Sequence, residues 1–184
     1  MKISTKTFAL SLVIMVFLSL SGCGAKKNDA DSLSQNYRDS EYGFSFRYPK
    51  DWQRLPSSPA SPAFRVAIRG PANRFGSHMP DIYVFIGPND NYDYHSATKP
   101  EIQNLVANAF GTGNLKIEEY GFREFSGKKC GFIHWQHFDD RLEELCLSFN
   151  HKNKGIMVMV ITQQGGFTEN RPIFESILNS FNFD

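Results

Sequence analysis

The sequence predicts an α+β domain, a mainly antiparallel sheet of about six strands flanked by helices on both faces, an α/β/α sandwich. Three observations predict it. Apolar and polar residues alternate in short runs, the period-2 mark of half-buried strands. The runs are joined by turn residues, and strands linked by short turns pair antiparallel. Two other segments carry apolar residues at helical spacing, so sheet faces need amphipathic helices to cover them. The 184 residues, 41% hydrophobic and 21% charged, suffice for one domain with a core. They exclude a disordered chain, a polytopic membrane protein and a disulfide-dense mini-domain.

Residues 1–22 read as a signal peptide. Lys2 and Lys6 form a positive start, and thirteen residues from Phe8 to Leu20 run apolar, broken by Ser11 and Ser19. A membrane-spanning helix needs about 20 such residues, whereas a signal-peptide core takes roughly 7–15. Leu20-Ser21-Gly22-Cys23 resembles a bacterial lipobox, in which small residues admit the peptidase and the Cys thiolate accepts a diacylglyceryl group. The resemblance implies cleavage before Cys23 and acylation there, a palmitate-type anchor of several chains. Cleavage removes two lysines and no acid, so a net charge of +1 becomes −1. No basic stripe is left to hold nucleic acid or anionic lipid. Residues 23–36 carry Leu33 as their only large apolar side chain, and read as the lipidated Cys and a flexible tether.

The domain is expected over 37–184, with order beginning between Tyr37 and Tyr42. Phe44, Phe46 and Tyr48 alternate with Ser45 and Arg47, which predicts a strand. Pro49-Lys50-Asp51 turns the chain so that Trp52 to Leu55 can pair back. Phe64, Val66 and Ile68 mark another strand after a Pro/Ser loop. Ile82 to Ile86 is apolar throughout and predicts a strand covered on both faces. A helix follows Thr98: Thr98 and Glu101 have capping-box spacing, Pro100 suits a first turn, and Ile102, Leu105, Val106 and Ala109 share a face. Gly111 ends it. Strands are predicted over 115–120, 129–137, 143–149 and 156–163. A last helix is expected from Asn170 and Arg171-Pro172, with Ile173, Phe174, Ile177, Leu178 and Phe181 turned to the core.

Tyr42-Gly43-Phe44-Ser45-Phe46-Arg47-Tyr48-Pro49-Lys50-Asp51-Trp52 resembles the opening hairpin of the PsbP-like superfamily, which includes DcrB-like bacterial lipoproteins and a Ran-binding import factor. The stretch from Phe174 to Phe183 resembles its terminal helix and Ser-Phe exit. Ser126-Gly127-Lys128-Lys129-Cys130-Gly131 resembles its turn before a long hairpin. The resemblance implies the predicted sandwich and a binding or assembly role. It implies no reaction.

Motifs for chemistry are missing. The hydrolase elbow, the zinc-protease helix motif, the P-loop and the dinucleotide fingerprint do not occur. Asn89-Asp90-Asn91-Tyr92-Asp93 starts like a calcium loop, but Tyr94 stands where Gly is required and Pro100 where the bidentate Glu would be. The metal candidates are His134, His137, Asp139 and Asp140, with His151. On a strand His134 and His137 point to opposite faces, so the remaining arrangement sets His134 with Glu144 or His151 across the sheet. The other reading makes these outward polar residues.

Cys130 and Cys146 are the only cysteines after Cys23, and an extracytoplasmic chain permits a bridge. Ile133, Trp135, Leu145, Leu147 and Phe149 are all odd-numbered. If both sets face one core, the hairpin loop has an odd length and the two cysteines share the opposite face. They then form a disulfide in one register and two small buried thiols in the others. Phe75, His78, Met79, Tyr92 and Tyr94 lie in two long loops, where they either form a partner-binding patch or pack their own loops.

The expectation for function is a monomeric, non-enzymatic, lipid-anchored extracytoplasmic module that binds or assembles a protein partner in the cell envelope. It takes no cofactor beyond the covalent lipid. The alternative is a lipoprotein that binds a divalent metal ion or a small ligand. Gly24 is no acidic retention signal, so a Gram-negative host would sort it to the outer membrane.

Overall fold

The structure is a computed structural model and describes residues 33–55, 63–71, 80–88, 97–111 and 113–184. Among these, ten strands and two helices build two antiparallel sheets. The smaller sheet holds β1 (Gln35–Asp39), β2 (Phe44–Tyr48) and β10 (Asn182–Phe183), with β2 in the middle. The larger holds β3 (Gln53–Leu55), β4 (Phe64–Arg69), β5 (Asp81–Gly87), β6 (Leu115–Phe125), β7 (Lys128–His137), β8 (Leu142–His151) and β9 (Lys154–Gln163). Their order across the sheet is β3-β4-β5-β9-β8-β7-β6. The helices are α1 (Lys99–Phe110) and α2 (Phe167–Asn179).

Chain order and pairing are linked by tight turns. The β6–β7 and β8–β9 hairpins each turn on two residues of positive φ, Ser126-Gly127 and Lys152-Asn153. Their backbone twist matches that of the flanking strands. In α1, Glu101 accepts from the Thr98 backbone N–H at 2.7 Å, as the capping box predicts. Gly111, at φ 113°, ends the helix.

The core lies on both sides of the large sheet. On one side Val66, Ile82, Leu147 and Val158 meet α2 through Phe174 and Ile177, and meet the aromatic face of the small sheet. Phe46 and Phe181 stack there with centroids 4.4 Å apart. On the other side Ile102 and Val106 of α1 pack on Ile117, Ile133 and Trp135.

Several expectations are corrected. The main sheet has seven strands, not six, and a second sheet of three joins α2 on its apolar face, so the single-sheet sandwich with helix layers does not hold. The reason is the aromatic side of β1 and β2, whose Tyr37, Phe44, Phe46 and Tyr48 are buried against that core. Gln53–Leu55 pairs with β4 rather than with β2. Buried Trp52 sits in the shared core and carries the chain from one sheet to the other. The fold begins before residue 37: Leu33 is buried, and Gln35 and Asn36 belong to β1. Ile82, Val84 and Ile86 are fully covered, but Tyr83 and Phe85 on the other face are half-buried. In α1, Ala109 is exposed. The last helix starts at Phe167, three residues before Asn170, which places Pro172 inside it.

Candidate functional site

The register of the β7–β8 hairpin decides what comes together. Its loop, 138–141, is of even length, and Ile133 stands opposite Cys146 while His134 stands opposite Leu145. Odd residues of β7 therefore share a face with even residues of β8. Ile133 and Trp135 lie on the α1 side with Cys146, whereas Leu145, Leu147 and Phe149 lie on the α2 side with Cys130. The two cysteines are on opposite faces as two buried thiols, so the shared face expected for them, and the disulfide reading with it, is corrected. Burial pushes the Cys130 thiol up, against the pull of the Arg123 guanidinium beside it.

The proposed metal arrangement is corrected for the same reason. His134 lies on the α2 face and Glu144, opposite Trp135, on the α1 face. His151, at the far end of β8, has Nε2 3.3 Å from the Gly43 carbonyl and its ring against Phe183. Burial, then Lys128, hold its pKa below the usual value. His137 Nδ1 approaches the Asp140 carboxylate at 3.1 Å, and Asp139 accepts from the Asn114 N–H at 2.8 Å. Among the described residues no three His, Cys, Asp or Glu side chains converge as a metal site. Cys23 and the loop residues Phe75, His78, Met79, Tyr92 and Tyr94 lie outside the described residues.

On the α2 face the sheet and helix enclose a cleft of about 90 Å³. Its floor is apolar: Phe132, Leu145, Phe174 and Leu178. His134 and Phe167 close one end, with ring centroids 4.7 Å apart. Glu119 and Arg123 of β6 stand on one side, and Arg171 and Glu175 of α2 on the other. Arg123 lies over the Phe132 ring and Arg171 over the Phe167 ring, each at 5.6 Å. Such stacking holds a guanidinium in place without using its hydrogen-bond donors on a carboxylate. On β6, Gly121 lies between Glu119 and Arg123. At φ 149° it holds a backbone conformation that side chains disfavour, and a Cβ there would meet only Phe132, at 3.6 Å.

Glu143 fixes this end of the helix. Its side chain is buried, one oxygen lies 3.0 Å from His134 Nε2, and the other accepts the N–H of Gly165 at 3.1 Å and of Phe167 at 3.4 Å. The N-cap residue of α2 is Gly166, which has no side chain to satisfy those donors, so a carboxylate from β8 does so. Sequence reasoning missed Glu143, Glu119, Arg123, Arg171 and Glu175. A signal for Glu143 was present: two acids interrupt an otherwise apolar strand, and a buried acid needs a partner.

No protein-family model matches the chain, and no curated protein matches it. Solved structures do. Cyanobacterial PsbP (CyanoP) from Synechocystis sp. PCC 6803 is 18% identical, over 90% of this chain and 99% of its own, with a TM-score of 0.60. LpqN of Mycobacterium tuberculosis, involved in cell envelope biogenesis, is 11% identical over 80% and 90%, with a TM-score of 0.50. The Ran-binding protein Mog1p of Saccharomyces cerevisiae is 8% identical over 81% and 94%, also at 0.50. The chain has the PsbP-like fold that these proteins share.

Proposed function

We propose that the chain is an extracytoplasmic lipoprotein, anchored through lipid on Cys23, that acts as a monomeric non-catalytic binding or assembly module of the cell envelope. Its binding site is the cleft between α2 and the β6–β7 hairpin. The observation that carries this reading is the cleft's composition. An apolar floor is rimmed by four charged side chains. Apolar floors with a few polar groups are the ordinary form of a binding site. The lipobox supplies the location, and no helix of the described residues is long and apolar enough to cross a membrane. LpqN and Mog1p, a protein of envelope biogenesis and a Ran-binding protein, support a partner-binding role for the fold. A Gram-negative host would carry the protein in its outer membrane, since Gly24 follows the lipidated Cys.

Two experiments test it. Crosslinking in intact cells followed by capture of this chain should yield one partner that Arg171→Glu loses. Equal recovery with the variant, or no partner, overturns the cleft as the site. Cys23→Ala should move the protein from the membrane to the soluble fraction, and a membrane-bound variant overturns the anchor.

A further inference from the structure

The two walls of the cleft carry the same charges in opposite order. In register on β6, Glu119 stands beside His134 and Arg123 beside Cys130. On α2, Arg171 and then Glu175 follow Phe167, whose ring lies on His134. Farther along, Phe125 at the end of β6 packs on Phe181, just beyond α2, at 5.4 Å. Along the cleft, strand and helix therefore run in the same sense. Glu119 and Arg171 stand toward its Phe167 end, and Arg123 and Glu175 farther along.

Elsewhere in the chain opposite charges close on each other. Arg38 reaches Asp184 at 2.8 Å, and Arg65 reaches Glu41 at 2.8 Å. None of the four cleft charges joins an ion pair among the described residues. Even Arg171 and Glu175, neighbours one helical turn apart, form no ion pair, and Arg171 lies over the Phe167 ring. The cleft thus holds two cations and two anions apart, over an apolar floor.

The geometry points to a short zwitterionic ligand. Its carboxylate would meet Arg123 or Arg171, its ammonium Glu119 or Glu175, and an aliphatic side chain would fill the floor. Guanidinium forks suit a carboxylate. A volume of about 90 Å³ is less than the roughly 150 Å³ of a cavity that takes benzene, so the floor takes one short side chain. Arg171 and Glu175 are offset by about 6 Å along the helix. An extended dipeptide spans about 7 Å, a closer match than the adjacent charges of a free amino acid. The assignment rests on the cleft being the binding site, and it adds to the protein partner a small ligand held through the same Arg171.

Calorimetry on the full lipid-bearing chain in detergent, with glycyl-L-leucine and L-leucine as probes, tests it. Saturable heat is expected below about 5 mM glycyl-L-leucine. N-acetylation, C-terminal amidation, Arg171→Ala and Glu175→Gln should each weaken binding about tenfold or more. Both positions are exposed on α2, so the variants keep the fold. Tighter binding of L-leucine than of the dipeptide makes the free amino acid the source of the same chemistry. Binding that survives acetylation or amidation, or no saturable heat with either probe, overturns the zwitterion. If the crosslinked partner is still lost on Arg171→Glu, only the ligand class falls; if it is not, the binding reading falls too.

Discussion

Glu143 and Glu144 are neighbours on β8, each 7% exposed, and they live in different worlds. Glu143 faces α2, where His134 and two backbone N–H groups surround its carboxylate. Glu144 faces the α1 side opposite Trp135. There burial pushes its pKa up to about 7, against the pull of His137 and with a small push from Asp140. Equal burial thus gives one carboxylate that organises a helix and one that resists ionising. What separates them is the set of partners on each face, not depth.

The largest effect expected from breaking this contrast is at Glu143. Glu143→Ala strips the cap from α2 and leaves its donors buried, and should cost about 4 kcal/mol in urea unfolding. A loss under about 1 kcal/mol would mean that the cap contributes little.

Glu144 should respond in the opposite direction, and only above acid pH. Between its ordinary value of 4.5 and about 7, the folded chain keeps a proton that the unfolded chain has lost. Stability should therefore be highest below pH 4.5 and fall as pH rises to about 7, by roughly 3 kcal/mol from this group. Glu144→Gln, which mimics the protonated form, should flatten that slope. It should gain about 3 kcal/mol at pH 8 and nothing at pH 4. An unchanged pH profile in the variant would show that Glu144 ionises normally.

The smallest effect concerns the cysteines, which the same parity sends to opposite faces. A bridge closing so short a loop would be worth about 3 kcal/mol. Reductant should leave Tm unchanged, and denatured chain lipidated at Cys23 should titrate two thiols. A Tm that falls with reductant would place the two cysteines on one face.

The elements themselves were legible. Phe44, Phe46 and Tyr48 announce β2 because one face of that strand is wet, and Thr98 with Glu101 announces α1 because its caps are local. Register was not legible. β7 and β8 are buried on both faces over most of their length, so alternation is lost and parity cannot be read from hydropathy. The sheet joined by Gln53–Leu55 was hidden too, since three residues carry too little pattern to choose a partner. Of the cleft's polar residues, the sequence marked only His134 as a candidate site. Arg123, Arg171, Glu119 and Glu175 look like ordinary surface charges until β6 and α2 are laid side by side.

The two-residue β10 has a consequence in time. It pairs with β2, and Ser180 just before it receives the Arg47 N–H across 133 residues of chain. The aromatic sheet cannot be finished until the final strand has arrived, so early segments wait, incompletely covered, on late ones. Such long-range closure slows folding. If the chain is exported as proposed, that delay gives an interval in which no finished domain blocks its passage.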